Sequence, residues 1–159
     1  MASLPAHVVF AQVEGAAVPV EAIAGQIAAQ LGARMTTLPA AVARASAARV
    51  LEPVLRVEVV AGAERGAFVL GARPVTSEDV ECARQAEQRG RAAGMGALAS
   101  RCRTVWTIEG EAGAPEWILL ELCALLAFAG LGPVLPPDGS TLLGVRSARE
   151  RAARLRAGG

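Results

Sequence analysis

The stretch Trp117-Ile118-Leu119-Leu120-Glu121-Leu122-Cys123-Ala124-Leu125-Leu126-Ala127-Phe128-Ala129-Gly130-Leu131 is the most apolar in the chain and contains one ionisable residue, Glu121. Pro115-Glu116 opens it. Proline suits the first helical position, and an acidic neighbour complements the positive end of the helix dipole. Gly130, Gly132 and Pro133 form a stop signal. A helix over 117–131 is roughly 22 Å long, short of the roughly 30 Å hydrocarbon core of a bilayer. Glu121 near its middle is costly in lipid. The stretch therefore reads as a core helix rather than a membrane span. It is apolar on nearly all sides, so it is buried on more than one face. Its outer face needs a cover, either residues 33–50 or another chain.

Outward from this helix, the chain supplies a sheet. Thr104-Val105-Trp106-Thr107-Ile108-Glu109 just before it reads as a strand, and Ala6–Val13 reads as a central strand, apolar on both faces. Val54–Val60 alternates apolar and charged residues, and Ala67–Gly71 returns antiparallel to it. The loop from Ala61 to Gly66 is longer than the minimal two residues. Two helices flank these strands. Val20–Leu31 lies between Pro19 and Gly32, and a second starts at Thr76 or Ser77, with acidic residues at 78, 79 and 81. The second runs to about Gly90 and continues, kinked, to Ser100. Pro39 and residues 40–49 suggest a further, alanine-rich helix. Val134-Leu135 and Thr141-Leu142-Leu143, around Pro136-Pro137-Asp138-Gly139, suggest an edge hairpin. A basic helix spans Ala148 to Arg156. The leading elements follow the βαββαβ order of a ferredoxin-like plait, an α+β fold with a sheet on one side of two helices. The expected organisation is one domain over 1–145, carrying the apolar helix, and a basic helical or flexible tail over 146–159.

With 159 residues, 53% hydrophobic and 19% charged, the chain is long enough for a sizeable core and too apolar for disorder. All its Lys+Arg residues are arginines, a bias consistent with a GC-rich bacterial genome. A net charge of +1 gives no general drive toward nucleic acid or membranes. Cys82, Cys102 and Cys123 are odd in number, far apart and set in apolar patterns. They read as reduced, buried thiols of a cytoplasmic protein, without a disulfide or zinc framework. The N-terminus has no basic region followed by an apolar core, so no signal peptide is expected.

The run from Phe68 through Leu70-Gly71-Ala72-Arg73-Pro74, Glu78–Glu81 with Cys82, Val105–Ile108 and Leu119–Val134 resembles an uncharacterised bacterial cytoplasmic domain family. Its members share a proline-containing strand exit, an acidic helix start with a cysteine, a strand and an alanine-leucine helix. Where the family often has a histidine before the strand, this chain has Arg101 and Arg103. The resemblance implies no catalytic role. Separately, Leu155-Arg156-Ala157-Gly158-Gly159 looks like the tail of ubiquitin-type modifiers, although the βαββαβ order is not a β-grasp.

Few residues suggest chemistry. Glu121 on an apolar helix is a candidate for a raised pKa and a functional role, alone or facing Arg101 or Arg103. Its bland alternative is a solvent-facing or ion-paired carboxylate. Cys102, between those two arginines, is the least inert thiol. Gly90, Gly94 and Gly96 follow a helix, the wrong context for a phosphate cradle, which needs glycines after a strand. His7 is the sole histidine, has no cluster of ligands beside it, and reads as a surface or strand-end residue. No catalytic, cofactor-binding or metal-binding residue is assigned, and no cofactor is expected. Arg146, Arg149, Arg151, Arg154 and Arg156 form a basic face opposed only by Glu150. They suit an acidic partner or phosphate, but no aromatic residues interleave with them to stack bases. The leading functional expectation is a non-enzymatic interaction module with a protein partner or a second copy. The alternatives are a small ligand-binding domain or enzyme using Glu121 with Arg101 and Arg103, and nucleic-acid binding through the arginine-rich tail.

Overall fold

The structure, a computed structural model, describes residues 2–38 and 54–159. The alanine-rich helix expected over 40–49 lies outside them. β1 (Leu4–Ala11) buries Val9 and Ala11 on one face and Phe10 on the other, as its two-sided apolarity requires. α1 (Val20–Leu31) starts after Pro19, stops at Gly32 in the left-handed conformation, and buries Ile23 and Ile27. β2 (Arg34–Leu38), β3 (Leu55–Ala61) and β4 (Glu64–Pro74) follow as an antiparallel meander.

The β3–β4 turn is tighter than expected. Ala61 pairs with Glu64, so only Gly62 and Ala63 form the loop, and Gly62 supplies the positive φ that such a turn needs. β4 also begins earlier than its apolar run, because Glu64 and Arg65 pair in the ladder although their side chains are exposed.

α2 (Ser77–Gly90) is capped by Thr76. The Asp79 N–H donates to Thr76 Oγ1 at 3.2 Å, and the Thr76 N–H donates back to Asp79 Oδ2 at 2.8 Å. The helix ends where Arg91 takes a left-handed conformation. Gly94, also left-handed, then starts the separate short helix α3 (Met95–Ser100) in place of the expected kinked continuation. β5 (Thr104–Gly110), α4 (Glu116–Gly130), β6 (Val134–Leu135) and α5 (Val145–Gly158) complete the order. Val134 bridges Leu143, as the edge hairpin anticipated.

The molecule is α+β, with one sheet in the order β2-β3-β4-β5-β1-β6 and every neighbouring pair antiparallel. The ferredoxin-like plait does not describe it. Residues 34–38 add a strand that the element count lacked, and α1 carries the chain from the central strand to the far edge. Helices also lie on both faces. Val9, Ala11, Trp106 and Ile108 share one core with α1, α4 and α5. Phe10 and Val105 point the opposite way, into a second core with Ala83 and Ala86 of α2 and Ala99 of α3.

α4 is the centre of the larger core. A Cβ at Gly130 would stand 2.8 Å from Ala11 Cβ and 2.9 Å from the Trp106 ring, so glycine sets how closely α4 approaches β1 and β5. Trp117 at the other end donates its indole N–H to Glu64 at 2.8 Å, tying the helix to the start of β4. The outer face of α4 is covered by α5, which runs antiparallel to it. Val145 lies by Phe128, Arg149 by Glu121 and Arg156 over Trp117. The residues after 145 are therefore part of the body, with Ala148 and Ala152 fully buried. The stretch that looked like a modifier tail is the last turn of this helix.

The exit from α4 is as tightly constrained as its packing. A Cβ at Gly132 would fall within contact distance of the Phe10 carbonyl and 3.0 Å from Cys102 Sγ. We expect Gly132→Ala to destabilise the protein by about 3 kcal/mol, because backbone on the facing strand has to move. A shift in the urea midpoint at unchanged slope checks this.

Candidate functional site

The groups facing Glu121 come from α5, in place of the expected Arg101 and Arg103. Arg103 donates its backbone N–H to the Ala11 carbonyl, which places it at the C-terminal end of α4, where Gly130 meets Ala11. Glu121 is nine residues earlier on α4, roughly 13 Å along the axis. Arg101 and Arg103 therefore do not form a pocket with Glu121. Above Glu121 lie Arg149, with Nε 4.0 Å from Oε2, and Arg156, whose guanidinium sits 4.5 Å from the Trp117 ring centroid. Arg149 also donates to Gln30 of α1 at 2.8 Å, while its Nε is buried without a hydrogen-bond partner among the described residues. Burial raises the Glu121 pKa, and Arg149 and Arg156 only partly oppose this. A cavity of about 300 Å³ lies between these groups and Ala152, Ala153 and Ala157. The arrangement is a helix-to-helix clamp.

Cys102 is not a reactive thiol. It is buried, its Sγ donates to the Leu98 carbonyl at 3.3 Å, and burial pushes its pKa up to about 11. Cys123 is fully buried in α4 and shifted further in the same direction. Cys82 is exposed. His7 is buried on the α4 face of β1, with Nδ1 3.2 Å from the Pro5 carbonyl. Burial lowers its pKa against the opposing pull of that carbonyl and of Glu116. Among the described residues no cluster of His, Cys, Asp or Glu could hold a metal ion, and no helix is long and apolar enough to cross a membrane.

Much of the basic face of α5 is occupied. Arg146 pairs with Glu150 at 2.9 Å, and Arg149 and Arg156 turn toward α4. This leaves fewer open charges for a polyanion than the sequence spacing suggests.

Two hollows remain. The larger, about 610 Å³, lies between α2 and the 136–139 loop, over Ala6 and Val8 of β1. Four of its charged groups, Arg73, Asp79, Arg89 and Asp138, are already engaged. Arg73 makes a two-pronged pair with Asp79 at 2.6 and 2.8 Å, and Arg89 donates to the Gly139 carbonyl at 3.3 Å. Burial disfavours the Asp79 charge, but bonds from Arg73 and Thr76 outweigh it and hold the pKa below the usual range. Ser140 likewise holds Asp138 low.

The second hollow, about 440 Å³, is apolar and lies between α3 and the end of α4. Met95 and Leu98 form one wall, Phe128, Leu131 and Val145 the other, and Gly132-Pro133 the floor. Two of the most exposed large apolar side chains line it, Phe128 at 65% and Leu131 at 63%. The groove exists because α5 starts too late. Trp117, Glu121 and Phe128 lie on one stripe of α4, and α5 covers only the first two. None of the groove residues was singled out from sequence. The one available signal was Leu131, an apolar residue between two glycines where a helix stop would place glycine itself.

Comparison of the chain with family profiles, with curated proteins and with solved structures finds no match.

The Glu121 clamp gives a pH dependence whose sign is fixed. The folded pKa is raised, so between the unfolded and folded values the folded state binds more protons. Stability then falls as pH rises through the folded value. Glu121→Gln removes that loss. The variant should be more stable than the wild type at neutral pH, and the advantage should fade in acid below the ordinary carboxylate range. Urea unfolding at both pH values tests this; a variant less stable at neutral pH would show that the contact with Arg149 is net favourable.

Proposed function

We propose that the chain is a non-enzymatic bacterial protein-interaction module, an adaptor, immunity-type inhibitor or assembly component of the cytoplasm. We further propose that its contact surface is the groove between α3 and the end of α4. The observation that carries this reading is Leu131. It occupies the left-handed region with φ 55°, which costs a side chain with a Cβ roughly 1–2 kcal/mol, and most of its side chain is in solvent. Glycine or asparagine serves this position better for folding. A residue that is poor both for the backbone and for solvation is best accounted for by a contact outside the chain. Phe128 lines the same hollow, and Met95 gives the opposite wall an adaptable surface.

Leu131→Asn separates fold from function. Asparagine tolerates the left-handed backbone, so thermal stability should stay level or rise by about 1 kcal/mol. Binding should weaken at least tenfold, about 1.4 kcal/mol. The measurement is calorimetric titration of a partner first identified by co-purification and then bound again from purified components. Phe128→Ala should act in the same direction. A partner that binds both variants as tightly as the wild type, or a protein with no reproducible partner, would overturn the proposal.

A further inference from the structure

We infer that the occupant of this groove is an acidic amphipathic helix of a partner protein, inserting apolar side chains between Leu98 and Phe128 and setting carboxylates against Arg101 and Arg103. The inference rests on the interaction reading above and adds the chemistry of the partner.

Charge is the first reason. Cys102 abuts the groove floor at Gly132, and its neighbours Arg101 and Arg103 are both exposed. Neither makes a salt bridge among the described residues. Arg146 follows Val145 on the other wall, and its exposed pair with Glu150 is of the kind that a better-placed carboxylate displaces. Of the nearby carboxylates, Glu87 is held by the Gly94 N–H, which leaves Glu14 beside Val13. Arg101 and Arg103 are thus cations beside the groove without a salt-bridge partner among the described residues, and the guanidinium fork suits carboxylates.

The backbone around the groove is the second reason. Added strands need unpaired N–H and C=O groups. Here the Phe10 N–H donates to the Pro133 carbonyl, the Gln12 N–H to the Gly130 carbonyl, and Val134 exchanges both bonds with Leu143. The Gln12 side chain takes the Leu131 carbonyl. Recognition is left to side chains, the mode in which a helix lays an apolar stripe into a hollow. A second copy is disfavoured because a two-fold interface would bring the same arginines toward each other. A bilayer is disfavoured because the patch is concave and floored by backbone.

The test uses the whole protein and a fluorescein-labelled peptide of about four helical turns, with Leu and Phe at helix-in-groove spacing and glutamates elsewhere. A lysine-for-glutamate counterpart serves as control. The expected result is a rise in polarisation with the acidic peptide only, weakened by salt and weakened about tenfold in Arg101→Glu/Arg103→Glu. Arg101→Gln/Arg103→Gln should give an intermediate loss. Absence of binding, equal binding of both peptides, or indifference to the arginine variants would overturn the acidic-helix inference. Binding of anionic phospholipid vesicles through Phe128, or dimerisation abolished by Phe128→Ala in sedimentation, would replace it with a membrane or a second copy. If the purified partner still depends on Leu131 but not on these arginines, the interaction reading stands and only the acidic class falls.

Discussion

The burial of α4 is the constraint on which the rest of this molecule depends. Its 15 residues carry apolar side chains around nearly the whole circumference, so a sheet on one side cannot satisfy it. The chain supplies three covers. β1 and β5 take the face opened by Gly130, α1 lies along one flank, and α5 closes the outside with Ala148 and Ala152. The small side chains Ala148 and Ala152 of α5 pack against α4 at the centre of the contact. The one carboxylate on the outer stripe, Glu121, is accommodated under arginines from the covering helix.

The same constraint explains where the surface is unusual. A cover that begins at Val145 cannot reach the last turn of the helix it protects, so Phe128 and Leu131 remain outside. The exposed apolar cluster is thus the uncovered end of the core itself, continuous with the packed interior through Ala127 and Pro133. A contact made there would extend the core into another molecule, while the arginines after α3 supply a charged border. The paired groups of the larger cleft serve the fold instead: Arg73 and Asp79 brace the strand exit against the capped start of α2.

What was legible in the sequence follows from how local each signal is. The 117–131 helix, the capped start of α2 and the strand at Thr104 are written in contiguous residues, and they stand within a residue or so of their expected bounds. β2 was missed because Arg34–Leu38 is short and mostly exposed, although Thr36 and Thr37 between Gly32 and Pro39 favour a strand. Missing it made the βαββαβ count look complete and pointed to the wrong sheet order. Arg101 and Arg103 were legible as a basic pair around Cys102, but they were expected to face Glu121, and their exposed setting was not legible. Glu121 and the groove are assembled from residues separated by tens of positions, and only the tertiary packing shows that α5 provides the arginines for one and leaves the other open.

The strand order also has a consequence for biosynthesis. β1 leaves the ribosome well before its sheet neighbours, β5 at 104–110 and β6 at 134–135. Until those emerge, Val9 and Phe10 have no sheet to join, while the β3–β4 hairpin can close locally. The central strand is therefore the last to be enclosed on both sides. During synthesis its two-sided apolar run is the segment most in need of protection from premature association.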